Sequence, residues 1–483
     1  MTRVSEFYRL GRTQPTLDFV DVDVRGDVRV FLDPRAFRLL QSDWGEQCRD
    51  LLHTFFAEVL AAITAGDPTR ARALLSRLRE PNETHLGFSA GASRGHGLGR
   101  ESGQSVADAL SASRAARTGL LQDLEDTVLL VPRIGHDVVS DITTNVLRGP
   151  LIAYTRQQTD MHDIPTAQVA SGPVWDPAGA SWQESFVELP APDHRKLLLV
   201  PKALVRYRMD FDKDEYYGDY LIPMLQDEEL SKPGSELVEM LKRGPRVTKK
   251  SIKEKYGTNK DAVAALTATH RKALDVYREQ KGEYVSPPLD HDVIAQVTRT
   301  APIDLPALLN AVRSVPAGRQ NATDFHLAVE ALLSALFYPA LIDPQVEHDL
   351  HERRKRVDIR YTNVARSGFF AWLIQHRVPS QHVFVECKNY IGDPANPELD
   401  QLSSRFSPLR GQVGLLVCRT FKDKALFLQR CRDTAQDHRG FCLALDDNDL
   451  EHLVAGAEAE RQDGTSVPTE FRLLKQRYDR LIN

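Results

Sequence analysis

The run His382-Val383-Phe384-Val385-Glu386-Cys387-Lys388-Asn389-Tyr390 sets a carboxylate and an ammonium two residues apart inside an otherwise apolar, β-prone stretch. Side chains alternate across a strand, so Val383, Val385 and Cys387 are predicted on one face and Phe384, Glu386 and Lys388 on the other. Two charges side by side on a buried strand cost several kcal/mol each unless they pair or bind something. The chain must therefore build a sheet that tolerates charge at one end. A second Glu-x-Lys triplet, Glu279-Gln280-Lys281, falls in a predicted helix. There, residues two apart project about 200° from each other, so that copy builds no joint site.

The neighbouring segments supply the rest of that sheet. NATDFHLAVEALLSALFYPA carries Phe325, Val329, Leu332, Leu333 and Leu336 at helical spacing behind an Asp324 cap, with Glu330 in mid-helix. HERRKRVDIRYTN reads as a charged turn entering a strand, with Val357, Ile359 and Tyr361 on one face and Asp358 on the other. ELDQLSSRF reads as a helix carrying Gln401, VGLLVCR as a buried strand, DKALFLQRCRDTAQDHRG as a helix and FCLALDD as a last strand. Together they predict an α/β unit with a mixed sheet whose crossovers cover both faces. Asp358 and the pair Glu386 and Lys388 would then converge at one sheet end.

These residues resemble the PD-(D/E)xK nuclease superfamily, and within it the Mrr-like restriction endonuclease domain. The resemblance rests on Asp358, on Glu386-Cys387-Lys388 lying 28 residues further on, on Glu330 in the preceding helix and on Gln401 in the following one. It covers about a third of the chain, and Val357 stands where the name-giving proline would be. The implied fold is a restriction-endonuclease-like mixed sheet flanked by helices. The implied activity is Mg²⁺-dependent hydrolysis of phosphodiester bonds in DNA, with Mn²⁺ as a substitute and a role in restriction or antiphage defence. Asp358, Glu386 and the backbone carbonyl of Cys387 would hold the metal. Lys388 would orient or deprotonate the attacking water, and Glu330 would hold a metal-bound water or a second ion. The chemistry is coherent, because hydrolysis needs a hard cation, an activated water and neutralisation of charge on the phosphate. Mg²⁺ keeps most of its waters and takes only one or two protein carboxylates. Two alternatives stay open: an RNA-cleaving nuclease, or a nucleic-acid-binding or assembly subunit whose nuclease-like domain does not cut. A partner ATPase or defence-system subunit and a homo-oligomer are both compatible with the sequence.

Length and charge bound the remainder. At about 150 residues per domain, 483 residues suggest roughly three domains, and a net charge of −5 excludes a uniformly basic nucleic-acid coat. The average conceals a basic stretch: between Leu241 and Lys281, twelve Lys and Arg residues face only Glu254, Asp261, Asp275 and Glu279. Within it, VTKKSIKEKYGTNKDAVAALTATHRKAL reads as two helices around a Gly257-Thr258-Asn259 turn. That arrangement suits a DNA-reading helix-turn-helix, phosphate contacts by Lys249, Lys250, Lys253 and Lys255, or a solvated lysine face. Arg354 and Arg356, just ahead of Asp358, are further candidates for the nucleic-acid backbone.

The predicted organisation is an α+β recognition, sensor or partner-binding domain over 1–230, a basic helical connector over 231–300, the nuclease domain over 301–455 and an amphipathic helix over 456–483. In the first domain, TLDFVDVDV and VRVFLDP suggest a hairpin, with Asp18, Asp21 and Asp23 as solvent-facing strand carboxylates. TVLLVPRIG and KLLLVPKALV read as buried strands. The glycine-rich segment from Gly87 to Gly103 reads as a surface loop, lacking a Walker or Rossmann signature. SDITTNVLRGPLIAYTRQQ reads as a helix with Asp137, Asp141 and Asn145 on one solvated face. The five cysteines form no CxxC pair and read as reduced, mostly buried thiols. The amino terminus lacks a signal-peptide apolar run, and no apolar run reaches the ~18 residues of a membrane span. A cytoplasmic protein is expected.

Overall fold

The computed structural model describes residues 2–87, 100–242, 244–346, 359–390, 392–464 and 471–483. The chain is mixed α/β and forms two compact units. One comprises Met1–Leu10, Val22–Val200 and Leu204–Ser286, the other Gly11–Asp21, Pro201–Ala203 and Pro287–Asn483. Two short pieces from the first half of the sequence are thus built into the second unit. Among the described residues, no helix is long and apolar enough to cross a membrane.

The first unit is mainly helical, with short two-stranded ladders. Its longest helix, Asp43–Thr64, starts where Ser42 Oγ accepts the Gly45 N–H and buries Leu51, Phe55, Phe56 and Val59. Several sequence expectations are corrected. The apolar run expected as a strand is the short helix Asp126–Leu130, because an uninterrupted apolar run carries no period that separates strand from helix. The expected hairpin is absent: Phe31–Leu32 pairs antiparallel with Val205–Arg206 instead. Residues 196–200, expected as a strand, are outside any strand, although Leu197–Val200 are buried.

Asp21 and Asp23 are buried rather than solvent-facing, and Asp23 Oδ1 accepts the Thr2 and Arg25 N–H groups. Helix His136–Val146 begins earlier than its Ser/Asp signal, and its acidic face is not uniformly solvated. Asp137 is exposed, Asp141 half-buried, and Asn145 buried with its amide on the Arg79 carbonyl at 2.6 Å. Burial raises the Asp141 carboxyl to about 8. Most of the glycine-rich segment, residues 88–99, lies outside the described residues.

In the second unit the elements are α1 (His291–Thr298), α2 (Leu305–Ser314), α3 (Ala322–Phe337), β1 (Leu341–Val346), β2 (Ile359–Asn363), α4 (Gly368–Gln375), β3 (His382–Lys388), α5 (Asn396–Ser403), β4 (Val413–Cys418), α6 (Lys424–Gln436), β5 (Phe441–Leu445), α7 (Asp447–Gln462) and α8 (Arg472–Ile482). The sheet runs β5-β4-β3-β2-β1. β1, β2 and β3 are antiparallel neighbours, while β3, β4 and β5 are parallel. Helices α3 and α5 pack against β3, and α6 and α8 against β5. The parallel strands are therefore buried, as their near-continuous apolar sequence demands. Val385, Leu415 and Leu443 are at the core, each at most 1% exposed.

Five elements of this unit have no counterpart among those the sequence predicts. The edge strand β1 reads LIDPQV, and its Pro344 is tolerated at an edge but would break a central ladder. Helices α1, α2, α4 and α7 are the others. Asp324 lies in the first turn of α3 rather than at its cap, which is Asn321. The stripe Phe471, Leu474, Tyr478 and Leu481 on and before α8 is buried in the core of its own unit.

Candidate functional site

Strand β3 presents Glu386 and Lys388 on one face, and they form a buried ion pair in which both side chains are 1% exposed. Lys388 Nζ also donates to Gln401 Oε1 on α5 at 3.3 Å. A lysine bound to Glu386 and an amide oxygen is fixed at the strand end, with its long side chain ordered by two partners. The other Glu386 oxygen, Oε2, is buried and has no hydrogen-bond partner among the described residues. A buried acceptor left open is rare and costs about 1–3 kcal/mol.

Helix α3 supplies the facing wall. His326, Glu330 and Ser334 recur every fourth residue, so they line one stripe of the helix. All three are buried. Ser334 Oγ donates to Glu330 Oε1 at 2.9 Å and lies 2.8 Å from the Tyr361 hydroxyl on β2. The second Glu330 oxygen accepts from Arg12 Nη1 at 2.6 Å. His326 Nε2 is buried with no hydrogen-bond partner among the described residues, and desolvation, with the Lys388 charge adding to it, lowers its pKa to about 4, against the pull of Glu386 and Glu330. The ring is therefore neutral near pH 7. Burial, with Glu386 next, pushes the Cys387 thiol well above its ordinary range, and the Tyr361 hydroxyl moves the same way for the same first reason, with Glu330 second.

The strand end and the helix start are tied by Asn389. Its Nδ2 donates to the carbonyls of Pro316 and Gly318 at 3.0 Å and of Asn321 at 3.2 Å, just ahead of α3. The Gly318 N–H returns a bond to the Asn389 carbonyl at 3.0 Å.

Of the candidate residues, the structure brings together Glu330, Glu386, Lys388 and Gln401. Asp358, Arg354 and Arg356 lie outside the described residues. Ile359, which follows Asp358, pairs with Val385, which precedes Glu386. The candidate lysines Lys249, Lys250, Lys253 and Lys255 lie in the first unit, on helix Lys249–Tyr256. Lys249 is bound to Asp219 at 3.1 Å and to the Gly218 carbonyl at 2.8 Å, and Lys255 to the buried Glu229 at 2.8 Å. Lys250 and Lys253 are exposed, Lys250 lying 3.8 Å from Glu254. The second helix of the pair, Lys260–Thr269, turns Val263, Ala264 and Thr267 inward.

Sequence reasoning missed His326, Ser334, Asn389 and Arg12. The first two were accessible from their four-residue spacing around Glu330; Asn389 and Arg12 had no local signal.

Among the described residues no three His, Cys, Asp or Glu side chains cluster as a metal-binding group. The open Glu386 oxygen nevertheless fits a hard cation, since a carboxylate lone pair with no proton donor is the ligand Mg²⁺ uses and that ion needs few protein ligands.

The class defined by these observations is a two-unit α/β chain whose second unit carries a buried site of two carboxylates matched by two cations. Residues 9–212, less than half of the chain, match a family described as a domain of unknown function, DUF8370. No curated protein and no solved structure matches. The matched span contains Arg12 and ends before Glu330, Glu386, Lys388 and Gln401.

Proposed function

We propose that the second unit is a restriction-endonuclease-like nuclease domain of the PD-(D/E)xK type, and that the protein is a metal-dependent endonuclease hydrolysing phosphodiester bonds in DNA. The observation that carries this reading is the end of β3. Glu386 and Lys388 lie side by side and buried, Gln401 is bound to that lysine, and one Glu386 oxygen is open. A structural ion pair alone would gain nothing from an orphaned buried oxygen.

Glu386, with Asp358 and the Cys387 carbonyl, would hold Mg²⁺ or Mn²⁺. When bound, that ion supplies Lewis-acid neutralisation of phosphate charge and lowers the pKa of a coordinated water. The chain's own residues do the remainder. Gln401 orients the Lys388 ammonium, which neutralises charge building on the phosphate and positions the attacking water. Ser334 and Arg12 fix the Glu330 carboxylate. Asn389 sets the distance between the two walls. Burial of the cluster excludes bulk water and so strengthens each of these interactions.

The test is incubation of plasmid DNA with purified protein and Mg²⁺ or Mn²⁺. Wild type should nick or linearise the plasmid, and Lys388→Ala and Asp358→Ala should abolish cutting. Equal inertness of wild type and Lys388→Ala, with candidate partners supplied, would favour a binding or assembly role. Cleavage surviving Asp358→Ala would place the site elsewhere, and competition between labelled DNA and RNA separates the two substrates.

A further inference from the structure

The site's second cation comes from the far end of the chain. Arg12 and Glu330 are 318 residues apart, yet both belong to the second unit, because Gly11–Asp21 is built into it. Arg12 Nη1 donates to Glu330 Oε2 at 2.6 Å and Nη2 to the Leu327 carbonyl at 3.4 Å. The two side chains are 12% and 4% exposed.

The segment bearing Arg12 is held in place by its own contacts. Gln14 Nε2 donates to the Phe19 carbonyl at 2.9 Å, and Gln14 Oε1 accepts the Asp21 N–H at 2.7 Å, closing a loop. Lys202, from the other inserted piece, donates its Nζ to the Pro15 carbonyl at 2.9 Å and its backbone N–H to the Asp18 carbonyl at 2.7 Å. The same ammonium lies 4.4 Å from the centre of the Tyr338 ring, just beyond α3. Arg12 is thus presented to α3 from an anchored loop.

A cation is required there. Helix α3 contains Asp324, His326 and Glu330 but no Lys or Arg, so it has no counter-charge of its own for a carboxylate that is almost wholly buried. Lys388 is already engaged by Glu386 and Gln401. With a neutral residue in place of Arg12, the buried Glu330 carboxylate would keep only the Ser334 hydroxyl and the more distant charge of Lys202. With Arg12 in place, each carboxylate has its own cation.

We infer that Arg12 is a positioning residue of the site: it neutralises and orients Glu330, leaving Lys388 committed to Glu386 and to the substrate phosphate. This rests on the nuclease reading and extends the working site to the amino-terminal segment of the chain.

The experiment uses the full-length chain as wild type, Arg12→Gln, Arg12→Lys, Glu330→Gln, the double Arg12→Gln/Glu330→Gln, and Lys388→Ala. Initial rates on duplex DNA with Mn²⁺ give kcat and KM, and urea unfolding gives a second readout that needs no activity. Arg12→Gln should lower kcat tenfold or more with KM within twofold, and Arg12→Lys should recover part of the loss. The double variant should cut no more slowly than Glu330→Gln alone, since Arg12 acts through that carboxylate. Its urea midpoint should lie above that of Arg12→Gln, because the second change removes the orphaned charge.

Wild-type kcat in Arg12→Gln, a loss confined to KM, or multiplicative losses in the double variant would each overturn the assignment. If wild type and Lys388→Ala are equally inert, the nuclease reading fails and takes the role with it. If wild type cuts, Lys388→Ala does not, and Arg12→Gln matches wild type, only the role of Arg12 fails.

Discussion

Asn389 Nδ2 donates to the Pro316 carbonyl at 3.0 Å, joining the residue after Lys388 to the loop that launches α3. The same amide reaches the carbonyls of Gly318 and Asn321, so one buried side chain sets the spacing between the Lys388 wall and the Glu330 wall. Replacing Asn389 by Ala removes a donor shared by three carbonyls, of which Pro316 keeps Asn321 Nδ2 and Gly318 keeps the Asn321 N–H, and should lower unfolding free energy by about 1–3 kcal/mol. Urea denaturation checks this, and Asn389→Ala should also cut more slowly than its residual stability accounts for.

Glu386 and Lys388 are each 1% exposed, so breaking the pair strands a buried charge. Lys388→Met should cost about 3–5 kcal/mol, and Glu386→Gln/Lys388→Met should regain most of it. Thermal or urea unfolding of the two variants measures the difference. A double variant as unstable as the single one would show that the pair is not the source.

His291 on α1 is buried, with Nε2 2.8 Å from the Ala335 carbonyl, and desolvation, with the Lys202 charge second, lowers its pKa to about 3. The unfolded chain binds this proton near pH 6.5 and the native one does not, so stability from this group is complete above about 6.5. It is lost progressively as pH falls from there toward about 3. Unfolding midpoints of wild type should therefore drop between pH 7 and 4.5 more steeply than those of His291→Gln.

Leu474 on α8 is fully buried in the core of the second unit. Leu474→Ala should destabilise it by about 2–5 kcal/mol, the range for a core Leu that leaves a cavity. A change within experimental error in urea denaturation would show that α8 does not dock where the structure places it.

Much of the second unit was legible because its signals are local. The apolar runs of β3, β4 and β5 and the helical spacing of α3, α5, α6 and α8 follow from burial on one or both faces, which leaves a period in the sequence. Glu386 and Lys388 stood out because charge inside such a run needs an explanation. The segment Thr127–Val131 failed for the converse reason: a short run of uniformly buried residues is equally compatible with strand or helix, and here it is mostly helix.

The sequence by itself thus determined which apolar stretches of the second unit are buried and which charges must share a strand face, because alternation and helical spacing are properties of neighbouring residues. Only the tertiary structure decided that Arg12 answers Glu330, that Lys202 anchors the loop carrying it, and that part of the basic segment's charge is met within the first unit, as in Arg278 with Asp126 and Lys281 with Glu215. Ion pairs form between side chains that the fold brings within a few ångströms, and Coulomb attraction leaves no periodic trace along the chain.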